Sequence, residues 1–342
     1  MAEITKFEID MLDVKAADAF LIHAFAKHTD GLEYEYVVLV DAGNEGDGKK
    51  IINHIQKYYT QQYIDLVIIT HCDADHYGGM QYLIEKHNEN NDFHINKVWV
   101  HDPYDHVDVD DVKYIRKEET LRDRLNAAYT FADGSNLLDM LDDSNIEREE
   151  VFSGDEYAPL NINVLGPDED YYESLIPDFR VDLDFKEEQP EDEYKGLVCY
   201  VQTKDQFLSR ALEDAEDDKS KVNQSSIIFT FCPKGQVFLF TGDAGRDALG
   251  RVLDSNKGLK NIKWLKVPHH GSKHNLNNAI ITRLNPQISY ISTEKYKKYA
   301  NICTVNALKK VGNVYSTHKK RYNLWYHEGT DKRDDYSTAE SL

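Results

Sequence analysis

Three times along this chain a short, unbroken apolar run ends abruptly in residues able to hold a metal ion. Leu66-Val-Ile-Ile69 gives way to Thr70-His71-Cys72-Asp73-Ala74-Asp75-His76-Tyr77-Gly78-Gly79. Val237-Phe-Leu-Phe240 ends in Thr241-Gly242-Asp243, and Trp264-Leu-Lys-Val267 ends in Pro268-His269-His270-Gly271-Ser272. Continuous apolar runs of this kind predict strands buried on both faces, and ligand sites favour the carboxyl ends of such strands. The fold must therefore bring three strand ends to one place. In the first motif His71, Asp73, Asp75 and His76 fall within six residues, while small Ala74 and two glycines let the backbone turn sharply into a helix. Donors so crowded converge on a point. A helix cap accounts for Asp75 alone, not for four ligands, and imidazole mixed with carboxylate suits a divalent transition metal.

The remaining pattern alternates short β-branched and aromatic runs with helical periodicity, which predicts an α/β fold. Candidate strands span 7–12, 20–25, 34–40, 66–70, 97–101, 161–165, 225–231, 237–241, 263–267, 287–292 and 322–327, enough for two sheets. Helices are expected over 49–59, 79–87, 121–141, 244–253 and 275–284. We read 1–342 as one domain with acidic insertions around 102–111 and 182–221 and a basic part at 257–333. His101 ends a candidate strand and is a possible substrate contact, although a structural hydrogen bond accounts for it as well; His106 is expected to be solvated.

Composition narrows the class. The chain has 342 residues, 41% hydrophobic and 30% charged, and no apolar stretch approaching the roughly 20 residues of a membrane span. Charges interrupt the N-terminal apolar residues, so no signal peptide is expected and the chain reads as cytoplasmic, with no membrane partner. Its four cysteines, Cys72, Cys199, Cys232 and Cys303, form no CxxC pair, which excludes a disulfide framework and a cysteine zinc knuckle.

The three motifs together resemble the metallo-β-lactamase-fold superfamily. The wording with Asp73 where most members have a second histidine is similar to the hydrolase domain of the ComEC/Rec2 competence proteins and their stand-alone relatives. Weaker echoes extend over most of the chain: Met11-Leu-Asp13 through Asp18, Leu39-Val-Asp41-Ala-Gly43, Gly154-Asp155, Asn223-Gln-Ser-Ser226 and Val314-Tyr-Ser-Thr317. The chain departs from that pattern at Lys15-Ala16-Ala17, where a glycine-rich turn is usual, and lacks a His-Pro-His element near 301–305. Asn223 stands about where zinc-dependent relatives carry another histidine.

The resemblance implies a four-layer αβ/βα sandwich, two mixed sheets with helices on the outer faces. It implies one or two divalent ions held by His71, Asp73, Asp75, His76, Asp243 and one of His269 or His270, of which His270 is preferred. Such an ion would lower the pKa of a bound water for attack on phosphorus, with Asp75 orienting that water or taking its proton. Asp73 and Asn223 in place of histidines shift preference from Zn2+ toward Mn2+ or Mg2+.

The net charge of −21 is unevenly spread. Residues 1–256 carry 24 Lys and Arg against 55 Asp and Glu, whereas residues 257–333 carry 16 against 3. Lys257, Lys260, Lys263, Lys266 and Lys273 flank the paired histidines, and Lys295, Lys297, Lys298, Lys309, Lys310, Lys319, Lys320 and Arg321 follow among tyrosines. That composition suits a phosphate backbone with stacked bases. The expectation is a DNA-directed phosphodiesterase, with Lys266, Ser272, Lys273, His101 and Asn223 contacting substrate. A hydrolase of a small ester, lactone or nucleotide, and a non-catalytic binding protein keeping the fold, are the alternatives.

Overall fold

Period-two alternation assigns each strand residue to one of two layers. A computed structural model of the chain describes residues 2–89, 93–107, 121–180, 204–294, 300–319, 323–336 and 341–342. In β1 (Glu3–Met11), Phe7, Ile9 and Met11 point into a layer shared with the opposite sheet, while Glu8 and Asp10 face outward. The first sheet continues with β2 (Ala19–Lys27), β3 (Glu33–Ala42), β4 (Leu66–Ile68), β5 (Lys97–Trp99), β6 (Glu147–Glu149) and β14 (Leu324–Glu328), in the order β14-β1-β2-β3-β4-β5-β6. The second contains β7 (Glu156–Tyr157), β8 (Ile162–Gly166), β9 (Ile228–Phe231), β10 (Phe238–Phe240), β11 (Trp264–Lys266), β12 (Ile288–Ile291) and β13 (Asn313–Ser316), in the order β13-β12-β11-β10-β9-β8-β7. Each sheet is antiparallel at one side and parallel at the other.

Aromatic rings fill the space between the sheets. Phe7 meets Phe231 and Phe238 edge-on at 5.4 and 5.3 Å, and Phe20 meets Phe240 at 5.8 Å, the offset geometry that ring quadrupoles favour. A second buried layer joins the outward residues of the strands, such as Leu21, Leu39, Val67, Leu239 and Leu265, to the helices. The helices are α1 (Gly48–Tyr58), α2 (Ala74–Tyr77), α3 (Met80–Asn88), α4 (Leu121–Asn126), α5 (Leu137–Asp143), α6 (Glu169–Leu175), α7 (Lys204–Glu213), α8 (Lys221–Gln224), α9 (Arg246–Ser255), α10 (Asn278–Leu284) and α11 (Ile302–Leu308). The result is the expected sandwich of two mixed sheets with helices outside.

Two expectations change. The single helix expected over 121–141 is two, α4 and α5, because Tyr129 and Gly134 take left-handed backbone (φ 58 and 87) and the Asn136 side chain caps α5. Of the acidic insertion around 182–221, the part up to residue 203 lies outside the described residues; from 204 it folds as α7, with Leu208 and Leu212 buried. The other acidic stretch is described up to residue 107, and there Asp102 is buried and accepts from Arg148 Nη1 at 3.1 Å. Cys72, Cys232 and Cys303 are free thiols, and Cys199 falls outside the described residues.

The carboxyl ends of β3, β4, β10, β11 and β12 meet at one edge. Two cross-links hold the sheets together there, Ile227 N–H to the Thr70 carbonyl at 2.9 Å and Ser292 Oγ to the Ala17 carbonyl, while Asp18 N–H to the Asp75 carbonyl at 3.2 Å ties β2 to the first motif within the first sheet.

Candidate metal centre

Asp41, at the end of β3, organises the first motif from behind. Its carboxylate accepts from Thr70 N–H at 2.8 Å, from the Thr70 hydroxyl at 2.9 Å, and from His76 Nδ1 at 2.8 Å. With its proton given to Asp41, the Thr70 hydroxyl can only accept from His71 Nδ1, 3.0 Å away. In their neutral form, the one a metal ion binds, both imidazoles are thereby fixed in the tautomer that leaves Nε2 bare. The rings lie side by side, centroids 4.1 Å apart, and both side chains are fully buried.

His270 is set the same way from the other sheet. Its Nδ1 donates to the Ser292 carbonyl at 3.0 Å, so its Nε2 faces Asp75 Oδ2 at 3.3 Å and Asp243 Oδ2 at 3.7 Å. Presenting that ring requires three successive left-handed residues, His269 (φ 46), His270 (φ 51) and Gly271 (φ 82). For the two histidines this conformation is unfavourable and persists where surroundings dictate it. His269, by contrast, turns its Nδ1 to Asp218 Oδ2 at 3.0 Å, while Asn223 Nδ2 also reaches Asp218 Oδ2 at 2.9 Å. Burial lowers the His269 pKa, but Asp243 and Asp218 more than offset it and raise it to about 9.

Asp243 supplies the central carboxylate. Its Oδ1 accepts from Lys266 Nζ at 3.0 Å and from His269 N–H at 3.1 Å. Oδ2 is left toward His76 Nε2 at 3.5 Å. Lys266 is 2% exposed, and its ammonium also pairs with buried Asp18 and donates to the Gly242 carbonyl at 2.6 Å. Burial pushes Asp243 up, yet Lys266 and the histidines hold it well below the usual carboxylate range. Asp75 behaves likewise: His76 and His270 overcome the effect of burial and keep it ionised.

These residues fit a divalent ion. His71 Nε2 and His76 Nε2 are buried without a hydrogen-bond partner, an arrangement that costs about 1–3 kcal/mol per group unless something takes the lone pair. The donor atoms of His71, His76 and Asp243 all lie within 4.8 Å of one another, as do those of Asp75, His76 and His270. Gaps of 3.3–4.0 Å between neighbouring donors are those expected around an ion with ligands at about 2.0–2.2 Å.

Residues 33–155 match the family model described as Metallo-beta-lactamase superfamily. The fold is that of the metallo-β-lactamase superfamily. The chain is also similar to ComE operon protein 3 of Bacillus subtilis (strain 168), 23% identical over 309 residues that cover 85% of this chain and 29% of that protein. It thus spans under a third of that relative's length. Among solved structures, the metallo-beta-lactamase fold protein YhfI from Bacillus subtilis aligns with a TM-score of 0.45 at 10% identity, covering 94% of this chain and 99% of that one. A long form RNase Z from yeast aligns with a TM-score of 0.40 at 12% identity, covering 86% and 39%.

Within this metallo-β-lactamase fold the other expected residues fall as follows. Asp73 is 32% exposed, with Oδ2 3.6 Å from His71 Nε2 and Oδ1 3.3 Å from Arg180 Nη1. Lys266, expected at a substrate rim, lies inside: it occupies the same strand face as Trp264, and that face is the inter-sheet layer. His101, expected as a substrate contact, is a structural histidine. Its Nε2 donates to the Val151 carbonyl at 2.7 Å, its ring stacks on Phe152 at 4.9 Å, and burial pushes its pKa down to about 4. Asn223 and Ser272 are buried in local bonds, the latter accepting from His274 N–H. Lys273 is half-buried beside the histidine turn. His106 is enclosed rather than solvated, its side chain 8% exposed and bonded to Glu150 at 3.1 Å. Asp18, Asp41, Arg180, Asp218 and Lys266 are the site's supporting charges. For Asp41 a legible signal existed, a lone carboxylate closing the apolar run of β3.

Proposed function

We propose that this chain is a metal-dependent phosphodiester hydrolase acting on DNA. The observation that carries the reading is the gathering of donors into two triads that share His76, His71–His76–Asp243 and Asp75–His76–His270, with the Nε2 atoms of His71 and His76 buried and without a hydrogen-bond partner. Carboxylates are as prominent there as imidazoles, which suits Mn2+ or Mg2+ as well as Zn2+. The motif likeness to the ComEC/Rec2 hydrolase domain and the similarity to ComE operon protein 3 support a nucleic-acid substrate.

One or two divalent ions, which His71, His76, Asp75, Asp243 and His270 would hold, would supply Lewis-acid polarisation and acidify a water for attack on phosphorus near neutral pH. The chain's own groups do the rest. Asp41, Thr70 and Ser292 fix the imidazole tautomers. Asp75, ionised and one-third exposed, orients the attacking water or takes its proton. Lys266 keeps Asp243 ionised and aimed.

A second reading, hydrolysis of a small nucleotide or ester, is favoured by the surface lysines. Lys257 pairs with Asp254, Lys310 with Asp205, and Lys309 donates to the Leu342 carbonyl. Lys295, Lys297, Lys298, Lys320 and Arg321 lie outside the described residues. Among the described residues no helix is long and apolar enough to cross a membrane.

Incubation with linear and circular, single- and double-stranded DNA across Mn2+, Mg2+ and Zn2+ tests the proposal. Cleavage with Mn2+ is expected, abolished in Asp75→Ala and Asp243→Ala and weakening steeply with salt. Absence of cleavage in every combination overturns it, and turnover of small nucleotides without salt dependence selects the second reading.

A further inference from the structure

A phosphodiester approaching this centre meets carboxylates first. Asp73 and Asp75 are each about one-third exposed, and like charges at a mouth repel an anionic substrate. Lys266 cannot offset them, being 2% exposed and already shared between Asp18 and Asp243. The cation that reaches the mouth comes from the acidic part of the chain. Arg180 follows a 3-10 turn (Ile176–Asp178), where Arg124 Nη1 donates to the Phe179 carbonyl at 3.0 Å.

Its guanidinium bridges two points of the first motif. Nη1 stands 3.3 Å from Asp73 Oδ1, and Nη2 donates to the Cys72 carbonyl. Nε is buried without a hydrogen-bond partner, and the side chain as a whole is 12% exposed. The residue also holds left-handed backbone (φ 60), a conformation that a non-glycine residue adopts at a cost. An arginine remains charged at all relevant pH values, and its planar fork matches phosphate oxygens.

We propose that Arg180 is the residue through which this centre recognises a phosphodiester. It holds Asp73 by Oδ1, turns Oδ2 toward His71, and offers its remaining Nη hydrogens, not the buried Nε, to a non-bridging phosphate oxygen. The inference rests on the reading of the centre as a phosphodiester hydrolase. It also relocates the substrate-facing cation from the basic quarter to a position outside all three motifs.

The test uses the full chain as wild type, Arg180→Gln and Arg180→Lys, with thermal unfolding measured alongside. Titration with Mn2+ alone should show Arg180→Gln binding the ion at least as tightly as wild type, because a competing cation beside Asp73 is gone. Hydrolysis of a short oligodeoxynucleotide should show KM raised about 10- to 100-fold with kcat nearly unchanged, and Arg180→Lys intermediate. Mn2+ binding weakened in both variants together with thermal stability, and KM unmoved, overturns the proposal in favour of a structural role. Should wild type cleave no DNA, the nuclease reading fails while thymidine monophosphate binding to the Mn2+-loaded protein still decides for Arg180. Equal binding by wild type and Arg180→Gln, including none by either, overturns it.

Discussion

Removing the Asp41 carboxylate would leave His71 and His76 free to adopt the tautomer that points a proton at the centre. Asp41→Asn keeps the size but offers one carbonyl oxygen to three donors, Thr70 N–H, Thr70 Oγ and His76 Nδ1. We expect Mn2+ affinity to fall roughly 10- to 100-fold, measured by calorimetric titration, with the fold retained by circular dichroism. The donor atoms themselves were legible in the sequence because three apolar runs ended in them. Their supports were not. Asp218 and Arg180 sit in segments with no local pattern, Asp18 was marked only by a family echo, and the packing of two sheets is what brings them to the same edge. Lys266 was misplaced for a different reason: position i+2 from Trp264 in a strand shares its face, so periodicity put it in the interior, while its charge argued for the surface.

At the scale of elements, glycines decide how closely β3 and the first motif approach. A Cβ on Gly79 would stand 2.1 Å from the Ala42 carbonyl and 2.8 Å from Gly48 N, both backbone atoms that cannot yield. Gly250, inside α9, meets nothing within 4 Å. Gly79→Ala should therefore sharply lower stability in urea unfolding, or prevent folding. Gly250→Ala should stabilise by roughly 0.5–1 kcal/mol through helix propensity. Most long strands were readable from alternation, whereas β6 and β7 have three and two residues, too short to show a period. The 121–141 stretch kept helical spacing of its apolar residues across a break, since α4 and α5 face the same core. Periodicity reports the buried face, not chain continuity.

For the whole molecule, β1 and the segment around Arg333 are fastened together on the outer side of the first sheet, away from the strand ends that carry the centre. Arg333 pairs with Asp10 Oδ1 at 2.7 Å and Glu8 Oε2 at 2.9 Å, and lies over the rings of Tyr58 and Trp325 at 4.2 and 4.9 Å. Asp10 is wholly buried and also accepts from Tyr59 Oη at 2.6 Å. Arg333→Met removes one of two neighbouring cations and leaves Asp10 with His54 Nε2 at 3.1 Å and the Tyr59 hydroxyl, at a cost of about 2–3 kcal/mol. Urea unfolding should show this loss with Mn2+ affinity unchanged, and adding Asp10→Asn should recover part of it. Charge partition along the sequence hinted at none of this, because an acidic β1 and the basic part at 257–333 were counted as separate regions. They are one clamp.

Lys266 has a consequence for how the protein comes to be assembled. A cluster of buried carboxylates ordinarily makes a polypeptide dependent on its ion for folding. Here the chain's own Lys266 ammonium sits between Asp18 and Asp243 in the folded protein. The scaffold is therefore expected to fold before it is loaded: the EDTA-treated chain should still unfold in one cooperative thermal transition, shifted upward when Mn2+ is added.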